Sequence, residues 1–190
     1  MIRENIMVML FVFLLLAGCG TGGGQNGMEV AEAMDEATTE EKMDRRVYSL
    51  ENFAPLEETD KEMIRAKAME QLINEYILMY EAKSQGFSVS YEEIQEVIEF
   101  YIETAKEIDN EKFTSMLDEM DMSIEEYYRE YAYESIKGKL LENKLNDNIT
   151  AEMKTPHEQT TKWNEYKDEV IKEFRKKNAE QIKKFTDERI

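Results

Sequence analysis

Few residues in this 190-residue chain could carry covalent chemistry. Cys19 is its only thiol, and a thiolate is the strongest nucleophile among the side chains. Leu16, Ala17 and Gly18 precede it, and the two small residues would let the backbone enter a protease cleft. His157 is the only histidine. It stands among polar residues with no cysteine or second histidine near it to share a metal, so it reads as a surface residue. The acidic runs hold no Asp-x-Asp-x-Asp-Gly calcium loop, and they read as a solvated face. No Gly-x-Ser-x-Gly elbow, P-loop or dinucleotide fingerprint occurs, so no catalytic constellation is present and no enzyme is expected. Asn148-Ile149-Thr150 matches a glycosylation sequon by chance. One excess remains. Met116, Met120 and Met122 cluster in sequence with Tyr127, Tyr128 and Tyr131. Thioethers adapt to varied shapes, and tyrosine joins an apolar body to a polar tip. Such residues could line a groove for varied polypeptide segments. The same helical spacing also suits plain core filling.

The elements that would position these groups begin with a short apolar run, Ile6 to Ala17, after a polar start containing Arg3 and Glu4. The run is shorter than the roughly 20 residues needed to cross a bilayer, and its length suits the apolar region of a secretory signal. Ending in Leu16-Ala17-Gly18-Cys19, it resembles the lipobox of bacterial lipoproteins. That resemblance implies a diacylglycerol on the Cys19 thiol, cleavage just before Cys19, and residues 1–18 as the signal peptide. The basic start is weak, since Glu4 cancels Arg3. An ordinary signal peptide ending by chance near a cysteine is the other reading, but it leaves an odd free thiol in an exported protein. No cofactor is expected beyond the covalent lipid.

Net charge is −18, and removal of Arg3 and Glu4 together leaves it unchanged. Nucleic acid is thereby disfavoured as a partner, because binding it requires cations that release counterions. A second, electrostatic hold on anionic lipid is disfavoured too, so the membrane contact would be the lipid itself. Residues 20–27 are Gly-rich, and 28–59 are acidic and poor in large apolar groups. Composition therefore predicts a flexible tether over 19–59. Ala31–Met34 is the one stretch there with the makings of a fraying helix. Val47, Tyr48, Leu50 and Phe53 are candidates to dock on the folded domain beyond Pro55.

From residue 60 the pattern is helical, and the expected fold is all-α: a compact bundle of about five helices over 60–190. A first helix runs from about Asp60 to Gln85 and ends at Gly86. Ser90 with Glu93 makes a capping box that opens a second, with Ile94, Val97, Ile98, Tyr101 and Ala105 as its buried stripe. A short third helix comes after Asp109-Asn110. Ser123 with Glu126 opens a long fourth, reaching Ile149. Thr155-Pro156-His157-Glu158 starts the last, over about 156–188, with Trp163, Tyr166, Val170, Phe174 and Phe185.

The ordered series in this helical region resembles the N-terminal chaperone domain of SurA and PrsA, which are exported foldases. Leu72-Ile73 and Glu75 lead into Glu81-Ala82-Lys83, Gly86, Val89-Ser90 and Glu92-Glu93-Ile94. Phe113, Leu117, Met122-Ser123-Ile124-Glu125-Glu126 and Leu140-Leu141-Glu142-Asn143-Lys144-Leu145 continue the match through about Ile149. The final helix looks like the one that completes the domain. Two departures matter. The family's opening strand is not found. Thr150 to Thr161 occupies the place where a parvulin isomerase domain would sit, and one histidine cannot form an isomerase's pair. The resemblance implies a polypeptide-binding module without isomerase activity, whose partners are unfolded or exported polypeptides. Together these readings give a lipid-anchored protein on the extracytoplasmic face of a cell membrane, assisting folding of exported proteins. The single cysteine and the export signal point to a Gram-positive surface. A dedicated adaptor lipoprotein of one envelope complex is the alternative.

Overall fold

The computed structural model describes residues 30, 33–53 and 60–187, and every regular element among them is helical, as the sequence predicts. Residues 33–37 are helical, and α1 comes next over Glu40–Phe53. Beyond it lie α2 (Lys61–Ser84), α3 (Tyr91–Glu107), α4 (Glu111–Glu119) and the single turn α5 (Ile124–Glu126). A π-helical turn, Tyr127–Tyr131, joins α5 to α6 (Tyr133–Thr150). α7 (Pro156–Lys177) and α8 (Ala179–Asp187) are the last elements.

Helix boundaries obey local chemistry. Asp60 accepts from the Glu62 amide at the start of α2. Ser90, Ser123 and Thr155 each form the predicted capping box, with Glu93, Glu126 and Glu158 returning the bond. Those three carboxyls are held below the usual range, first by the Ser123 amide for Glu126, by the Lys154 amide and then Thr155 for Glu158, and by Lys144 for Glu93. At the end of α2 the Phe87 amide reaches Ala82 O and the Gly86 amide reaches Lys83 O, both at 3.0 Å, with Gly86 at φ 86°. That is a Schellman cap, and it requires the left-handed residue that glycine supplies. α4 ends the same way around Asp121 at φ 51°, with Met122 donating to Leu117 O. Asp tolerates this region better than most side chains.

α2 carries its buried residues as adjacent pairs, Ala68-Met69, Leu72-Ile73 and Ile77-Leu78. So broad an apolar face demands cover on several sides, and α1, α6 and α7 all pack on it. Three apolar clusters result. The first joins α2 to Met34, Met43 and Leu50 on one side and to Ile182 and Phe185 of α8. The second holds Ala82, Leu141, Leu145 and Trp163. The third packs Ile94, Ile98 and Ile102 of α3 on Ile136. Gly138 lets α6 approach α2, since a Cβ there would lie 2.7 Å from Met79 Sδ.

Four expectations are corrected. Composition predicts a flexible tether over 19–59, yet 40–53 is a helix packed on α2. Met43 and Leu50 are buried at the spacing of two turns, while the acidic residues face water. Composition hides this, because a few apolar residues suffice once a partner face exists. The α3 stripe uses Ile102, whereas Tyr101 is 38 % exposed. The helix expected to run unbroken from Ser123 is interrupted by the π turn, and the last helix breaks at buried Asn178, whose side-chain amide donates to Phe174 O. Residues 1–18 and Cys19 lie outside the described residues.

Candidate functional site

The site is assembled around the π turn. Inserting one extra residue per turn closes its hydrogen bond from the Ala132 amide to Tyr127 O at 2.7 Å. Single π turns inside helices recur at functional positions. Here Tyr127, Tyr128 and Tyr131 all line the same groove. Tyr127 stacks with Tyr131 at 5.1 Å and meets Tyr128 edge-on at 5.1 Å. Phe113 of α4 packs edge-on against Tyr127 at 5.2 Å, and Tyr101 of α3 lies 5.6 Å from Tyr128.

The groove has a volume of about 650 Å³ and runs between α1, α2, α4, the π turn and α6. That volume falls within the range of small-molecule and side-chain pockets, roughly 300–1,000 Å³. Met116 (5 % exposed), Leu72, Tyr76 and Met79 contribute its apolar floor. α1 closes one wall. The Arg45 guanidinium lies over the Tyr131 ring, 3.4 Å from its centroid, and donates to Tyr131 O at 2.6 Å. It also pairs with Glu41, while its Nε is buried without a hydrogen-bond partner among the described residues. Tyr48 donates to Glu119 across the α1–α4 gap at 3.1 Å. Arg46–Glu75 at 2.7 Å and Lys139–Glu142 at 3.0 Å pair the charges on the rim.

Burial pushes the Tyr127, Tyr128 and Tyr131 hydroxyls above the ordinary tyrosine value, although Arg45 pulls Tyr127 and Tyr131 back in part. They stay neutral at physiological pH. They can donate and accept hydrogen bonds there. Among the described residues no group of three His, Cys, Asp or Glu side chains is placed to hold a metal. An apolar, aromatic and methionine-lined depression with paired charges on its rim is suited to non-covalent contact with varied side chains.

Of the six residues singled out from sequence, Met116, Tyr127, Tyr128 and Tyr131 meet in the groove. Met120 and Met122 do not line it; both take part in the turn that ends α4. Sequence reasoning missed Arg45, Tyr48, Tyr76, Met79 and Phe113. Phe113 had a signal, since it lies three residues from Met116. Arg45 had none of its own, because the docking expected of Val47, Tyr48, Leu50 and Phe53 does not say which ring a cation of that stretch would meet.

A model of the SurA-like N-terminal domain matches residues 2–145 of the 190. The chain belongs to the SurA-like N-terminal domain family. The match takes in α1, which the motif resemblance from about residue 59 onward leaves out, and stops within α6. No curated protein and no solved structure matches the chain. Within this SurA-like chain, the groove walls are drawn from the matched stretch, whereas α7 and α8 lie beyond it. The family is one of chaperone-type polypeptide-binding domains.

Proposed function

We propose that this chain is a polypeptide-binding module that assists the folding of exported proteins outside the cytoplasm, held to a membrane by a lipid on Cys19. The observation that carries this reading is the tyrosine- and methionine-lined groove in a SurA-like domain. Apolar segments of a client dock there weakly and reversibly, and no bond is made or broken. The short link at residues 151–155 between α6 and α7 supports a module without prolyl isomerase chemistry. No helix among the described residues is long and apolar enough to cross a membrane. The anchor is instead the diacylglycerol that the Leu16-Ala17-Gly18-Cys19 sequence invites. A single acyl chain binds membranes only marginally, whereas two hold stably.

Two experiments test the two halves. Cys19→Ser should move the protein from the membrane fraction to the soluble fraction after a salt wash; retention would refute the anchor. The chain from residue 19 onward with Cys19→Ser keeps every described residue and should slow aggregation of an unfolded protein at stoichiometric amounts. Combined Tyr128→Ser and Met116→Ser should weaken that effect several-fold while helical circular dichroism persists. No protection of several unrelated clients by the unsubstituted chain would refute the chaperone reading, and crosslinking in cells to one defined partner would favour an adaptor in its place.

A further inference from the structure

A second depression of about 390 Å³ adjoins the groove, and Tyr76 and Met79 line both. Its aromatic floor is a triad. Phe174 of α7 meets Tyr76 edge-on at 6.0 Å and Tyr80 at 5.6 Å, and the two tyrosines lie 6.3 Å apart. Tyr80 is 47 % exposed, so the triad faces solvent on one side. The charged residues among the described lining are Lys83 and Lys177, and no ion pair among the described residues holds either one. The main groove differs, because carboxylates line it beside the cations and Arg46–Glu75 and Lys139–Glu142 pair there.

α2 and α7 run antiparallel, with Arg175 bonded to Asn74 and Tyr166 to Glu81. The two lysines therefore flank the aromatic triad from opposite ends. Each also lies in the last turn of its helix, where the backbone carries a partial negative charge of about half a unit. Two such ends offset roughly one of the two lysine charges and leave an excess of about one positive charge. A local positive excess beside an aromatic surface stands against a chain with 42 acidic and 24 basic residues.

We propose that this second depression is a carboxylate-selecting subsite of the groove. It takes an aromatic or aliphatic side chain of a bound polypeptide whose neighbouring residues are Asp or Glu. The inference rests on the polypeptide-binding reading above and names the class of segment preferred. Net charge alone would favour cationic segments. At physiological ionic strength, however, exposed charges beyond about 8 Å are screened, so the lysines at the contact decide.

Two fluorescent peptides with one aromatic and aliphatic core, one flanked by Glu and one by Lys, separate these alternatives. They are titrated against the chain from residue 19 with Cys19→Ser at about 0.15 M salt. The Glu-flanked peptide should bind about fivefold more tightly, as two partly exposed ion pairs allow. Lys83→Glu with Lys177→Glu should invert the preference, and Lys83→Gln with Lys177→Gln should erase it should the first variant fold poorly. Equal binding, or tighter binding of the Lys-flanked peptide to the unsubstituted chain, overturns the selectivity and leaves polypeptide binding standing. Binding of neither peptide overturns both.

Discussion

α1 and α7 flank the same central helix, and they are held by different mixtures of contacts. α7 brings a capping box with Pro156 at its first turn, a basic last turn, and Trp163 buried against Ala82, Leu141 and Leu145. α1 has no basic residue in its last turn, and Thr39 gives its start only a 3.4 Å contact to the Lys42 amide. Met43 and Leu50 are its buried residues and Val47 packs beside them, and charged and polar contacts supply much of the remaining hold: Arg46 to Glu75 and Gln71, Arg65 to Glu40, Arg45 to Tyr131. An element held by apolar burial is part of what makes the bundle stable. An element held by half-exposed ion pairs gains little from each, since such pairs are worth up to about 1 kcal/mol. On the proposed reading, a wall held in part by such pairs is the flank better able to yield to bound segments of different size.

The largest expected effect falls on the strong flank. Trp163→Ala removes a buried indole from the second cluster and should cost about 3–5 kcal/mol of global stability, read from urea unfolding. A loss under about 1 kcal/mol would mean that α7 is ancillary and the contrast is false.

A smaller, local effect belongs to α1. Arg45→Ala removes a ring contact and a charge-assisted hydrogen bond, together worth about 2 kcal/mol. Amide hydrogen exchange should quicken across α1 and remain unchanged in α7. Equal loss of protection in both helices would show one cooperative unit in place of two unlike flanks.

The smallest effect is one that alkali removes. Burial, and then its bond to Glu81, push the Tyr166 hydroxyl up from 10.0 to about 12. A folded-state value above the unfolded one stabilises fully below pH 10 and loses that contribution as pH rises toward about 12. Tyr166→Phe should therefore be less stable than the parent below pH 10, with the gap closing between pH 10 and about 12. A gap that stays constant over that window would mean that the Tyr166–Glu81 contact does not anchor α7.

The same contrast separates what sequence could reveal from what it could not. α2, α3, α4 and α7 announce themselves through caps that are local in the chain: Asp60, Ser90, Asn110, Thr155 and the glycine after α2. The tyrosine and methionine cluster was visible for the same reason, since Met116 and Tyr127 to Tyr131 stand close in sequence. The π turn was not visible, because its five residues read as ordinary helix; in the folded chain Tyr127 and Tyr128 of that turn meet Phe113 and Tyr101. Arg45 meets Tyr131 across 86 residues, and no local pattern encodes such a meeting.

By itself, then, the sequence determined the helical class, most helix ends, the family resemblance and the lone thiol at Cys19, all of which are set by neighbours within a few residues. Tertiary structure alone decided that an acidic stretch becomes a wall and that a methionine floor and a tyrosine turn face one another. It also decided that two lysines flank one aromatic surface. These outcomes depend on which faces of α2 remain to be covered once α6 and α7 have packed, and a burial contest of that kind is settled only when all the helices are in place.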